Sequence, residues 1–339
     1  MSETNSKPER EDMNIGRSKE FVRDQSLEDV LKELNQSIPG CMSPPYETPQ
    51  YPVVLIVGAP RSGTTLMLQW LAASGMFAYP SNLIARFYGN PYMGARIQQA
   101  TLTYDSNRQI FTKEQSLAFS SDLGRTEGAL APSEFWYFWR RFFEFGDTNF
   151  LKAEKLAQID THAFLTGLAG LEAALSAPIA TKGMILNWNL PFLDKVLPHA
   201  LFINVERDPF YNAQSLLQAR ERFFGDRKRW YSFKPPEYDL LSNEPPLSQV
   251  VGQIYYNRTG VQDGLAAVEK SRKLSIDYSA FCANPKHVMS LIIKKFAEQG
   301  FDLEDHYSGP SSFKESRSVR LSQNECAEIE SAIANYEFS

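Results

Sequence analysis

Between Val53 and Val57 the chain holds five consecutive apolar residues, four of them β-branched, with no polar alternation. A strand buried on both faces reads this way, because neither side of it meets water. The period then changes. From Thr64 onward Leu66, Trp70 and Ser74 recur one turn apart, Met67 and Leu71 join their face, and Gly75 offers a stop. That spacing predicts a helix, so the order is strand, glycine-containing loop, helix.

The same order recurs at LPHALFINVERDPFYNAQSLLQARERFF, where Leu201–Val205 read as a buried strand. Asp208 is placed to cap the next helix, with Pro209 at its first position, where a missing N–H does no harm. A third, shorter strand is expected in PIATKGMILNW, after a helix from about 160 to 175. A fourth lies in KLSIDYSAF, before a helix around 285–299. Strands alternating with helices imply an α/β fold: a three-layer sandwich with a central, mainly parallel sheet. Ligands in such sheets bind at the carboxyl ends of the strands.

Upstream, residues 1–17 are polar and charged and are expected to be disordered. A short helix should follow, capped by Ser26 with Asp29 three positions on, and with Leu27, Val30, Leu31 and Leu34 on one face. The proline-rich connector IPGCMSPPYETPQYP then leads into the first strand. The organisation is an arm over residues 1–50 and a single domain over 51–339.

Composition narrows the function classes. The chain has 339 residues, 43% hydrophobic and 22% charged, enough to bury a sizeable core. A net charge of -5 argues against nucleic-acid binding, which needs a broad basic surface. Cys41, Cys282 and Cys326 have neither disulfide-framework nor zinc spacing, and no run approaches the ~18 apolar residues of a membrane span. With no signal-peptide pattern at the start, a cytoplasmic protein is expected, and homo-oligomers are compatible with this composition.

The chemistry concentrates in the first loop, which carries Gly58, Pro60, Arg61, Ser62, Gly63, Thr64 and Thr65. It nearly reproduces the fold class of P-loop-containing nucleotide hydrolases, whose loop N–H groups and helix N-terminus attract an oxyanion. A nucleotide triphosphatase has Lys directly before the Ser/Thr, whereas Thr64 occupies that place and the cation has moved back to Arg61. A guanidinium suits bidentate contact with phosphate or sulfate. The bland alternative is a glycine-rich turn with no ligand. No cluster of Asp, Glu or His is spaced to hold a divalent metal.

GAPRSGTTLM resembles the 5′-phosphosulfate loop of sulfotransferases that use 3′-phosphoadenosine 5′-phosphosulfate (PAPS), above all the tyrosylprotein branch and its bacterial relatives. Arg207 at a strand end and Ser215 eight residues later resemble that family's 3′-phosphate element. The TKG stretch is similar to the strand bearing the family's catalytic lysine, which puts Lys182 in that role. LSIDYSAFCANP matches a late strand and turn, with Tyr278 and Phe281 read as packing. SSFKESRSVRL corresponds to a loop closing over the adenosine and 3′-phosphate, and offers Lys314, Ser316 and Arg317. The resemblance spans Pro52 to Glu315. It implies sulfuryl transfer from PAPS to a hydroxyl of an alcohol, sugar or phenol, leaving PAP, with no metal. Arg61 and Lys182 would stabilise the sulfate oxygens and the leaving phosphate.

The general base is missing from its family positions. Met184 stands where the small-molecule branch has His, and Met76–Tyr104 contains no Asp, Glu or His where other branches carry Glu. Asp105, Glu127, Glu134 and His162 are the candidates. Glu134 is favoured because APSEFWYFWRRFFEF would wall an acceptor pocket, against the alternative of an exposed glutamate beside core aromatics. The long insert RERFFGDRKRWYSFKPPEYDLL should also touch the acceptor, with Arg227, Lys228 and Arg229 serving either an acidic acceptor or solubility. Two rival classes remain: a P-loop kinase, and a nucleotide-binding scaffold that has lost its base.

Overall fold

The computed structural model describes residues 16–105, 107–111 and 117–338. Of the segment expected to be disordered, residues 1–15 lie outside the described residues. Strands Val54–Val57 (β1), Ala180–Lys182 (β2), Leu201–Glu206 (β3) and Lys273–Asp277 (β4) form one all-parallel sheet in the order β2-β1-β3-β4. The helices that matter for the site are Gln25–Ser37 (α1), Thr64–Ala73 (α2), Trp136–Phe142 (α3), Thr161–Leu175 (α4), Pro209–Phe224 (α5), Pro246–Ala266 (α6) and Pro285–Glu298 (α7).

All four β1 side chains are fully buried, as the unbroken apolar run requires. Successive strand residues point to opposite faces. Leu55, Val57 and Phe202 join a layer with Phe138, Trp139 and Phe164 from α3 and α4. Val54, Ile56, Ile203 and Val205 join the opposite layer with Trp70, Phe281 and Phe296. Each buried aliphatic side chain contributes about 1.5–3 kcal/mol relative to exposure. The three-layer α/β sandwich is therefore the fold observed. Among the described residues no helix is long and apolar enough to cross a membrane.

The strand order places β2 on one side of β1 and β3 on the other. The chain reverses direction at β1, so a crevice opens beyond the carboxyl ends of β1 and β3. Both ends lead straight into helices. Asp208 caps α5 by accepting from Phe210 N–H at 2.9 Å, with Pro209 as its first residue, as expected. Asp160 caps α4 in the same way through Ala163 N–H.

The arm departs from its expected form. Asp24, not Ser26, caps α1, accepting from Ser26 N–H at 2.9 Å and Leu27 N–H at 3.4 Å. Leu27 and Val30 are exposed, while Leu31 and Asn35 are buried. A polar clamp does the docking. Asn35 donates to the carbonyl oxygens of Leu31 and Arg86 and accepts from Gly89 N–H at 2.7 Å, satisfying backbone groups that an apolar face would have left unpaired.

β1 and β3 approach closest at Gly58. Its φ is 136°, and a Cβ there would lie 2.6 Å from the Val205 carbonyl oxygen. That neighbour is sheet backbone and has nowhere to go. Gly58→Ala is expected to cost about 2–4 kcal/mol in chemical denaturation; wild-type stability would show that the two strands are not pinned at this point.

Candidate active site

The first loop is a tight turn held from outside. Ser62 N–H donates to Ala59 O at 3.3 Å across Pro60 and Arg61, and Arg61 has a φ of 67°. Proline second and a left-handed third residue is the pattern of a type II turn. Two buried asparagines hold the loop carbonyls: Asn187 Nδ2 donates to Gly58 O at 2.9 Å and Asn212 Nδ2 to Pro60 O at 2.6 Å. With the carbonyls turned to these amides, the first-turn N–H groups of α2, which have no intrahelical acceptor, are left for an anion.

The second junction lies directly beside the first. Arg61 Nε donates to Ser215 Oγ at 3.1 Å, and Arg207 donates to Arg61 O at 3.1 Å and Ser316 O at 2.6 Å. Below Arg207 the Tyr278 ring makes a cation–π contact at 5.0 Å. That ring occupies the space a Cβ on Gly63 would need, 2.3 Å away. Tyr278 therefore lines the cleft as well as packing, whereas Phe281 is core against Trp70, as expected. Neither Arg61 nor Arg207 is in an ion pair among the described residues. Burial holds the Arg207 guanidinium below its usual pKa, and the Arg61 charge lowers it further. Arg207 Nε and Ser62 Oγ are buried without a partner among the described residues. Ser62 lies outside the cleft lining, but two adjacent cations, one with an orphaned donor, fit a phosphorylated ligand.

Lys314 and Ser316 in the tail line the same cleft. Arg317 does not: it pairs with Glu315 at 2.8 Å and donates to Ser279 Oγ at 2.9 Å.

At the end of β2, Lys182 Nζ donates to Thr65 Oγ1 and to Glu134 Oε1, both at 2.6 Å. Trp136 Nε1 donates to the other carboxylate oxygen, Oε2, at 2.6 Å. Phe135 between them is left-handed, φ 57°, which turns the chain from Glu134 into α3. The Lys182 and Glu134 side chains are 5% and 24% exposed, so the pair is largely desolvated but open on its carboxylate side. An ammonium has three hydrogens, and the third is available to a ligand. Met184, where a histidine was sought, takes a hydrogen bond from Thr64 Oγ1 at its sulfur. Of the base candidates Glu134 lines the cleft; the half-buried Asp105 and the exposed Glu127 do not, and His162 faces Glu47 at 3.8 Å.

All of this opens on one cleft of about 1900 Å³. Trp136, Trp230, Tyr231 and Phe233 also line it. From the insert, buried Arg220 donates to Gln249 and Gln253 on α6 and lies 4.8 Å from the Trp230 ring, so it is structural. Arg227 pairs with Glu221 and Glu325; Lys228 and Arg229 do not line the cleft.

A glycine loop with free N–H groups, a second cationic junction and a lysine–carboxylate pair thus surround one cleft at the carboxyl edge of the sheet. A model of the sulfotransferase family matches residues 52–302, and the chain belongs to that family. Its fold is similar to that of sulfotransferase STF9 from Mycobacterium avium, at 14% identity and a TM-score of 0.50 over 96% of this chain and 80% of that one. It is similar also to sulfotransferase STF1 from Mycobacterium tuberculosis H37Rv, at 12% identity and a TM-score of 0.50 over 91% and 82%. No curated protein sequence matches the chain.

Sequence reasoning missed Asn187, Asn212 and Trp136. Asn187 follows a strand carrying a lysine and Asn212 sits in the first turn of α5, but nothing local marks either as a loop clamp. Arg61 in a left-handed position carries strain of about 1–2 kcal/mol. Arg61→Gly is expected to keep wild-type stability within about 1 kcal/mol, because relief of strain offsets the entropy of glycine, while weakening PAP binding at least tenfold by titration calorimetry. A large loss of stability with intact PAP binding would reverse both assignments.

Proposed function

We propose that the protein transfers the sulfuryl group of PAPS to a hydroxyl of an acceptor held in the wide cleft, in a reducing, cytoplasmic setting that suits its three free cysteines. The observation that carries this reading is Lys182, which joins Thr65 of the oxyanion loop to Glu134 on the acceptor wall.

In this reading the backbone N–H groups of Gly63, Thr64 and Thr65, with the Thr65 hydroxyl, whose hydrogen is uncommitted, hold the 5′-phosphosulfate, while the Thr64 hydroxyl stays bonded to Met184. Arg207, Ser215 and Lys314 take the 3′-phosphate, with Arg61 reaching the donor from the Ser215 side; Pro60 and the fully buried Ser62 shape the turn between the two groups. Arg317 stays outside this set. Glu134 accepts the proton of the acceptor hydroxyl as its oxygen bonds to sulfur. The bond from sulfur to the 5′-phosphate breaks, and its electron pair stays on the bridging oxygen. There the third Lys182 hydrogen meets the growing charge, in a site already aligned and partly dry. Glu134 keeps capacity for that proton, since a carboxylate offers about four lone-pair sites and Lys182 and Trp136 take two.

PAP is expected to raise the melting temperature well above the shift given by ATP–Mg²⁺; the opposite order would favour a kinase and end this reading. With labelled PAPS, Lys182→Ala should lower turnover by roughly 10²–10³ and Glu134→Gln by roughly 10²–10⁴. Full turnover in Glu134→Gln would move the base elsewhere and leave the class standing.

A further inference from the structure

Twelve basic and five acidic side chains line the cleft, although the chain as a whole carries a net charge of -5. The donor groups account for part of that excess. Arg222 is paired with Glu20 and Asp122, and Arg227 with Glu221 and Glu325. A second group of cations remains on the acceptor wall, drawn from three parts of the chain that are distant in sequence.

Arg17 comes from the arm, Arg86 from the segment that follows α2, and Arg140 from α3. All three line the cleft. The neighbouring carboxylate, Glu28, is already engaged: Tyr137 OH donates to it at 2.6 Å and Arg23 pairs with it at 3.7 Å. Arg17 makes one hydrogen bond, to the Phe21 carbonyl at 3.3 Å, and lies over the Phe223 ring. The side chains of Arg86 and Arg140 make no hydrogen bond or ion pair among the described residues. Crowding by protein, and then the charge of Arg23, lower the pKa of both Arg17 and Arg140; Arg140 adds to the effect on Arg17. Arg17 is half-buried, and Arg86 and Arg140 are exposed, so water screens their mutual repulsion; gathered on one wall, the three are favourable around an anion.

The path from the reacting centre to this cluster is aromatic. Trp136, which holds Glu134, and Tyr137, stacked on Tyr88 at 5.3 Å, line the cleft on the same short helix as Arg140. Arg140 is three residues beyond Tyr137, about 4.5 Å along the helix axis and on the same face.

We infer that the acceptor carries an anionic group (carboxylate, phosphate or sulfate) bound by Arg17, Arg86 and Arg140 while its hydroxyl reaches Glu134 and its body lies along Trp136 and Tyr137. The inference rests on the sulfuryl-transfer reading and gives the arm a part in choosing the acceptor. It does not draw on Arg227, Lys228 or Arg229, which the sequence suggested for an acidic acceptor.

The test uses three phenols that differ in the charge of their tails: 4-hydroxyphenylacetate, 2-(4-hydroxyphenyl)ethanol and tyramine. Each is titrated calorimetrically into the full chain saturated with PAP. The carboxylate should bind at least tenfold tighter than the alcohol, and the amine weakest. Arg17→Gln with Arg140→Gln should remove that advantage while the alcohol and PAP bind as before, and Arg140→Lys should retain most of it. Equal affinities, a reversed ranking, an advantage that survives the double glutamine variant, or no binding of the carboxylate each overturn the inference. PAP binding, measured first in the same cell, separates the two readings. Its presence with charge-blind phenol binding sinks the acceptor inference alone, and its absence sinks both.

Discussion

The site depends on two like charges held against each other. Arg61 and Arg207 leave different strand ends, yet Arg207 donates to the Arg61 carbonyl and Arg61 to Ser215, eight residues beyond Arg207. Nothing in the apolar core requires such an arrangement, and two guanidiniums at close quarters repel. What fixes them is the backbone beneath: the left-handed turn at Arg61, the side-chain-free Gly58 and Gly63, and asparagine clamps on the loop carbonyls. Each hydrogen bond from a charged donor contributes about 1.5–3 kcal/mol. The fold thus holds a positive site ready for a polyanion, and a ligand binding there pays little reorganisation.

The parts legible in the sequence were those whose signal is contiguous. Val53–Val57, the Asp208–Pro209 cap and the glycine loop each sit within a few residues, and each lies close to where the pattern put it. Where neighbouring residues offered equal chemistry, the reading slipped: Asp24 and Ser26 are both good helix caps, and tertiary docking through Asn35 decided the register of α1. In the tail, Arg317 is engaged by Glu315 and Ser279, an encounter that its sequence neighbours do not announce. The rest was hidden by separation. Glu134 meets Lys182 across 48 residues, Asn187 meets Gly58 across 129 and Asn212 meets Pro60 across 152. The arm arginines acquire meaning only beside Arg140. No local pattern encodes those encounters.

If Glu134 is the base, as proposed, its role has come from another element than the family pattern suggests. The place after the strand lysine is filled by Met184, whose sulfur accepts from Thr64, so that position now supports the loop. The carboxylate comes instead from the turn before α3, where Phe135 takes a left-handed conformation and Trp136 fixes the second oxygen. The aromatic stretch is both core and wall: Phe135, Phe138 and Trp139 fill the layer under the sheet, while Trp136 and Tyr137 face the cleft. Helical periodicity lets one segment do both, because residues three or four apart share a face.

The Lys182–Glu134 pair is poor evidence of stability and better evidence of chemistry. Removing two charges from water costs several kcal/mol per ion, and apolar residues of similar volume would often serve the fold as well or better. Leu55 and Val57, fully buried on the adjacent strand, show that this sheet can close with hydrocarbon. A pair placed at the carboxyl edge, with one Lys182 hydrogen and about two Glu134 lone-pair sites uncommitted, is instead what a proton acceptor and a charge acceptor need if they are to act on one bond. Across the cleft the argument is weaker, because Arg86 and Arg140 are solvated; there it is the convergence of three parts of the chain on one wall that suits an anion.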